Sequence, residues 1–168
     1  EDLFGDKSAS DFWILMRAWN YATQNQFRMD ALGKLGIHGV TARQVGPLLE
    51  QLQRIDKAEG LEVEAGEVKL QALQKCILIG FSDRVGRMDQ GTLRCELVHG
   101  RRGTLARESV VRQSELVVVA EIREIGGRPG EVNTILSLAT AIEIEWLQEL
   151  FPNAMHSETR VTFDSVTR

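Results

Sequence analysis

The sequence predicts an α+β fold, an N-terminal helical bundle segment followed by a five-stranded antiparallel barrel with a C-terminal helix. Three observations predict it. Apolar residues recur at the 3.6-residue spacing of helices as far as Phe81. Beyond Asp83 they alternate with polar residues at the period of 2 that a half-buried strand requires. The second half is also punctuated by turn signals, Asp89-Gln90-Gly91 and Gly126-Gly127-Arg128-Pro129-Gly130. Residues 1–60 form the helical segment, 61–83 a linker and connecting helix, and 84–168 the barrel.

Over 10–26, Phe12, Leu15, Met16, Trp19 and Ala22 make one apolar helical face. A shorter helix over 29–35 is stopped by Gly36 and Gly39. Thr41 opens a third, with Gln44 three residues on in the spacing of a capping box. Its face is Val45, Leu48, Leu49, Leu52 and Ile55, and Gly60 ends it. Pro47 falls near the first turn, where proline is tolerated. A polar, acidic linker (62–67) precedes a fourth helix carrying Leu70, Leu73, Ile77, Leu78 and Phe81.

Strands are expected over 85–88 and 93–98, with Leu93, Cys95 and Leu97 inward and Arg94 and Glu96 outward. Others follow over 103–107, 116–125 and 132–138, with Leu116, Val118, Ala120 and Ile122 sharing one side of the fourth. A helix over 142–150 is ended by Pro152, and 159–164 reads as a last strand. A five-stranded barrel of this size is OB-fold-like, an architecture that binds single-stranded nucleic acid through one strand face and two loops.

Composition narrows the function class. With 168 residues, 43% hydrophobic and 26% charged, the chain is ordinary for a globular protein. It lacks the roughly 20 consecutive apolar residues of a membrane span, so no membrane partner and a cytoplasmic location are expected. Cys76 and Cys95 lie in apolar periodic segments and read as buried free thiols, while His38, His99 and His156 are too scattered for a zinc pattern. The net charge is -4, yet the charge is unevenly spread. Residues 84–128 carry nine arginines, no lysine and six acids, a basic island between acidic flanks, which is the footprint phosphate contacts leave. Arg87 precedes the first hairpin turn, Arg128 occupies the tip of the glycine-rich loop, and Arg101 and Arg102 sit between Gly100 and Gly103. A solvated or salt-bridged surface is the alternative reading of each. Trp13, Trp19 and Trp146 fall on apolar helical faces, where core packing is the expected role, and Gly80 is expected to allow close helix approach. No aromatic occupies an obvious outward strand position, so binding is expected to be weak, salt-sensitive and sequence-blind.

Catalytic motifs are not found. There is no GxxxxGK[ST] phosphate loop, nucleophile elbow, HExxH, HxE or CxxC, so no catalytic residue, metal or cofactor is assigned to this chain. Beginning on Glu1 and stopping at Arg168 inside a polar run, it reads as a piece of a longer polypeptide.

Several stretches resemble the accessory region that follows the motor of DEAH-box RNA helicases. SDFWILMRAWNYA (10–22) resembles the start of that family's ratchet-type helices, and TARQVGPLLEQLQRI (41–55) its next helix. LQKCILIGFSDRVGRM (73–88) resembles the helix that runs through Gly-Phe into the first barrel strand. FSDRV (81–85), HGRRGTLARES (99–109) and SELVVVAEI (114–122) are similar to the bacterial HrpB branch, with Ser82 where that branch often has proline and His99 where it often has asparagine. The resemblance implies a parent that hydrolyses ATP with Mg and steps along single-stranded RNA, with single-stranded DNA as a second candidate partner. It implies an accessory module that walls the nucleic-acid channel and docks on the parent's own motor and winged-helix domains. Arg84 matches the family's residue at the barrel entry. The alternative is a protein-interaction module that recruits a regulator, with nucleic acid incidental.

Overall fold

The structure, a computed structural model, describes residues 9–61, 66–126, 132–155 and 158. The Gly127–Gly130 part of the glycine-rich loop, with Arg128, and the strand expected over 159–164 lie outside the described residues. Four helices come first: α1 (Asp11–Gln24), α2 (Met29–Gly33), α3 (Gly39–Ala58) and α4 (Leu70–Gly80). Strands β1 (Val85–Met88), β2 (Arg94–Leu97), β3 (Arg102–Leu105), β4 (Leu116–Gly126) and β5 (Val132–Ile142) follow, then α5 (Ile144–Leu150).

One helix start differs from the sequence reading. α3 begins at Gly39, and its cap is His38, whose Nδ1 accepts from the Thr41 amide at 3.3 Å. Thr41 is therefore inside the helix, and Pro47 sits in its middle rather than its first turn. At α1 the Ser10 hydroxyl makes no cap bond to the helix, because it pairs with the Thr140 hydroxyl at 2.8 Å on β5.

The five strands form one sheet in which each strand pairs with two others, in the closed order β1-β2-β3-β5-β4. The sheet is mixed, which corrects the all-antiparallel expectation. β3 and β5 run parallel through Thr104↔Ile135 and Leu105↔Leu136, while the other four pairings are antiparallel. The reason is connectivity: β4 and β5 form a long hairpin, so β5 returns alongside β3 in the same direction. Two glycines let backbones close up. A Cβ on Gly103 of β3 would stand 2.8 Å from Leu136 Cγ, and one on Gly86 of β1 would stand 2.6 Å from Leu97 Cδ2. Gly80 has open space around it and plays no such part.

Two apolar cores flank this sheet. Inside, Met88, Cys95, Leu97, Leu105, Val117, Val119 and Leu136 pack together, as the β2 alternation predicts. Outside, Val118 and Ile142 meet Ile77 and Leu78 of α4 and Trp146 and Leu147 of α5. Because both faces of β4 are covered, the three consecutive valines 117–119 are all fully buried. Cys76, expected to be buried, is exposed: it lies on the side of α4 away from Ile77 and Leu78.

Beyond its short pairing with β3, the upper half of β5 has a free edge, and the N-terminal segment covers it. Ala141 donates its amide to the Ala9 carbonyl at 2.7 Å, and Gln74 Nε2 donates to the Ala141 carbonyl at 2.8 Å. Backbone groups that would otherwise be buried without partners are thus paired. α3 differs from every other long helix. Trp19 Nε1 donates to the Ala42 carbonyl at 3.0 Å and Arg43 stacks over Phe27, which fixes its N-terminal end, whereas its apolar stripe is uncovered.

Candidate nucleic-acid interface

The outward face of β2, β3 and β5 forms the floor of an open groove of about 990 Å³. Its walls come from the β1–β2 turn, the segment after β3, and the far end of the β4–β5 hairpin. Strand pleating places the charges. On β2, Cys95 points into the core, so Arg94 and Glu96 on either side point into the groove. Arg102 of β3, Arg107 just beyond it and Arg123 of β4 complete four guanidinium groups on one surface, with Asp89, Glu96 and Glu108 among them.

The four arginines are not equivalent. Arg102 faces Glu96 at 3.4 Å, and Arg123 faces Glu121 at 3.5 Å while donating to the Ser137 hydroxyl at 3.1 Å. These pairs are exposed, and each is worth well under about 1 kcal/mol, so a phosphate can displace the carboxylate. Arg94 and Arg107 form no ion pair among the described residues. No aromatic side chain lines the groove among the described residues, so the surface offers charge and hydrogen bonds without a stacking platform. Cys95 lies beneath it, 2% exposed, and burial, with the Asp89 carboxylate adding to it, pushes its thiol up to about 11. At neutral pH the thiol is therefore held in its protonated form.

The sequence-predicted residues fall in different places. Arg102 is in the groove. Arg87 lies on β1 against Glu115 at 3.5 Å, and Arg101 pairs with Glu124, tying the β2–β3 turn to the β4–β5 hairpin. Arg84 is half-buried: it donates to the Ala120 carbonyl at 2.5 Å and lies over the Phe81 ring, so it buttresses the junction of α4 with the sheet. Arg128 lies outside the described residues. Arg94, Arg107 and Arg123 were not singled out by the sequence reading, which weighed loops above strand faces. The signal was present for Arg94, whose alternation with Leu93, Cys95 and Leu97 already pointed it outward. Among the described residues no cluster of His, Cys, Asp and Glu could hold a metal ion, and no helix is long and apolar enough to cross a membrane.

No family model matches the chain, and no curated protein matches it. Among solved structures it is similar to the E. coli DExH-box NTPase HrpB, with a TM-score of 0.46 and 15% identity, over 87% of this chain. The match spans 17% of that protein's length.

Proposed function

We propose that this chain is a nucleic-acid-binding accessory module of an ATP-dependent, DEAH-box-type RNA helicase, and that its groove carries the backbone of a single strand. The observation that carries the reading is the convergence of Arg94, Arg102, Arg107 and Arg123 on one face of the closed sheet. Two further features support it. The order β1-β2-β3-β5-β4, closed by a parallel β3–β5 contact, fits an OB-fold, whose β2–β3 face is the usual seat of oligonucleotides. The order and spacing of the motifs over 10–22, 41–55 and 73–122 resemble the helicase accessory region. Phosphates, which every nucleotide shares, are the part of the ligand these arginines fit, so the module grips a strand without reading its sequence. Coupling to ATP hydrolysis belongs to the motor of the parent.

Fluorescence anisotropy with a short single-stranded oligoribonucleotide at low salt tests this. Binding that falls at least about tenfold in the Arg94→Ala/Arg107→Ala variant, and holds in Arg87→Ala/Arg101→Ala, is the expected result. An absence of binding by the parent chain, or equal losses in both variants, overturns it.

A further inference from the structure

Ala106, Glu108 and Arg123 line both the groove and a smaller crevice of about 330 Å³, so the two form one continuous surface. The crevice lies between α1 and the β4–β5 hairpin, and its character is different. Ile14 and Leu15 of α1, with Val110 and Leu138, supply apolar walls. Leu15 is 53% exposed at its rim, although Phe12, Met16, Trp19 and Ala22 on the same helical face are all partly or fully buried. Leu138 reaches the crevice through a break in β5. Leu136 and Ala139 both belong to the inner core although they are three positions apart, so the alternation of the strand slips between them. The slip includes Leu138, whose φ of 55° is left-handed, and strain of this kind gathers at binding sites.

Charge decides which part of a strand fits here. Asp11, Glu108 and Glu121 border the crevice, against Arg123, which itself faces Glu121 at 3.5 Å. A phosphate entering it would meet net negative charge, whereas the adjoining groove presents four arginines. Asp11 is already engaged by the Val110 and Ala139 amides and the Ser109 hydroxyl. The walls therefore suit a neutral group with apolar faces. The volume lies near the small end of the roughly 300 to 1,000 Å³ that ligand pockets span, which is room for one planar ring system and not for a stack.

We propose, building on the reading of the groove as a strand-binding surface, that this crevice seats one base of the bound strand, turned out of the groove beside the phosphate that Arg123 holds. Leu15 and Leu138 meet the faces of the base, which every base offers, so the seat adds affinity without reading sequence.

Anisotropy competition at low salt tests this with two ligands of equal length, an oligouridylate and its abasic analogue, the same sugar-phosphate strand without bases. The parent chain is expected to bind the base-bearing strand at least about fivefold more tightly. Leu15→Ala should remove most of that preference and leave affinity for the abasic strand unchanged. Leu15→Met, which keeps an apolar side chain of similar volume, should retain it. Circular dichroism verifies that these exposed substitutions leave the fold intact. Equal affinity of the parent chain for both strands overturns the base seat and leaves the arginine groove standing. A crevice made for another apolar group, such as a side chain of a partner protein, gives that result. A Leu15→Ala chain that weakens both strands alike, or neither, overturns the seat as well. Failure to bind either strand overturns the reading of the groove itself, and the seat with it.

Discussion

Asp11 and Ala139 are 128 positions apart in the chain, and Asp11 Oδ2 accepts the Ala139 amide at 2.7 Å. The bond falls where the β4–β5 ladder skips one rung, at Ala120 and Leu138, and Leu138 holds a φ of 55°. That left-handed turn costs a non-glycine residue about 1 kcal/mol or more and rotates the next amide out of the ladder, toward α1. The other carboxylate oxygen accepts from the Val110 amide at 2.8 Å and the Ser109 hydroxyl at 3.1 Å. On the opposite strand, the Ala120 carbonyl accepts from Arg84. One interrupted rung thus becomes the place where the first helix and the α4 junction are both fastened to the sheet.

Removal of the Asp11 carboxylate should therefore loosen α1 from the sheet. Asp11→Ala leaves two amides and a hydroxyl without their acceptor, and a destabilisation of about 3 kcal/mol is expected in urea unfolding. Asp11→Asn keeps one acceptor oxygen and should lose roughly half as much. Equal stability of all three proteins would show that α1 is held by its apolar face alone.

Glycine substitutions should report the close approach at β3. Gly103→Ala drives a methyl group to 2.8 Å from Leu136 Cγ, and overpacking of this kind costs about 2 kcal/mol. Gly80→Ala, with nothing within 4 Å and a helical position, should be neutral or stabilising by about 0.5 kcal/mol. Thermal midpoints of the two variants against the parent chain decide it, and a Gly103→Ala protein as stable as the parent removes the argument.

The two halves of the fold were unequally legible in the sequence. Periodicity located all four N-terminal helices, because each carries an amphipathic stripe, and it located β1 to β4 to within one or two residues of their ends. It fell short where the information is three-dimensional. The parallel β3–β5 contact involves two residue pairs, too short to leave a pattern, and the end of β5 was missed because α1 and α4 cover an edge that reads as a loop. The burial of Val117 to Val119 shows two covered faces and has no period at all. For the candidate interface, the charge clustering and the groove fall in the same segment, and of the residues named from the sequence only Arg102 lines the groove among the described residues, because the sequence reading weighed loops and the groove floor is a strand face. The α3 stripe was read correctly as apolar, while its exposure depends on what lies beside it.

The two thiols should behave differently. Cys76 is exposed and Cys95 buried, so a thiol reagent at pH 8 should label one cysteine rapidly in the native protein and two after denaturation. Cys95 also ties stability to high pH. Its pKa is about 11 in the fold against 9.0 ordinarily. Between those values the unfolded chain has released a proton that the folded chain retains, so rising pH favours unfolding. The stabilising contribution is complete below about 9 and lost through about 11, a change of at most about 3 kcal/mol. The stability difference between the parent chain and Cys95→Ala should shrink over that window, and a constant difference would exclude the linkage.

Salt dependence offers the sharpest reading of the groove. Each phosphate neutralised on a single strand contributes about -0.7 to the slope of log K against log salt concentration. Among the described residues Arg94 and Arg107 have no carboxylate to give up, whereas Arg102 and Arg123 must release Glu96 and Glu121 first. Arg94→Ala/Arg107→Ala should therefore make the slope shallower by about 1.4 and weaken all sequences alike, since backbone contacts carry no base information. Glu96→Gln should act in the opposite sense, strengthening binding by freeing Arg102 and removing a charge that repels phosphate. Anisotropy titrations at four or five salt concentrations, with oligoribonucleotides of unrelated sequence, measure both effects. If the slope is unchanged in the double variant, these two arginines do not meet phosphate.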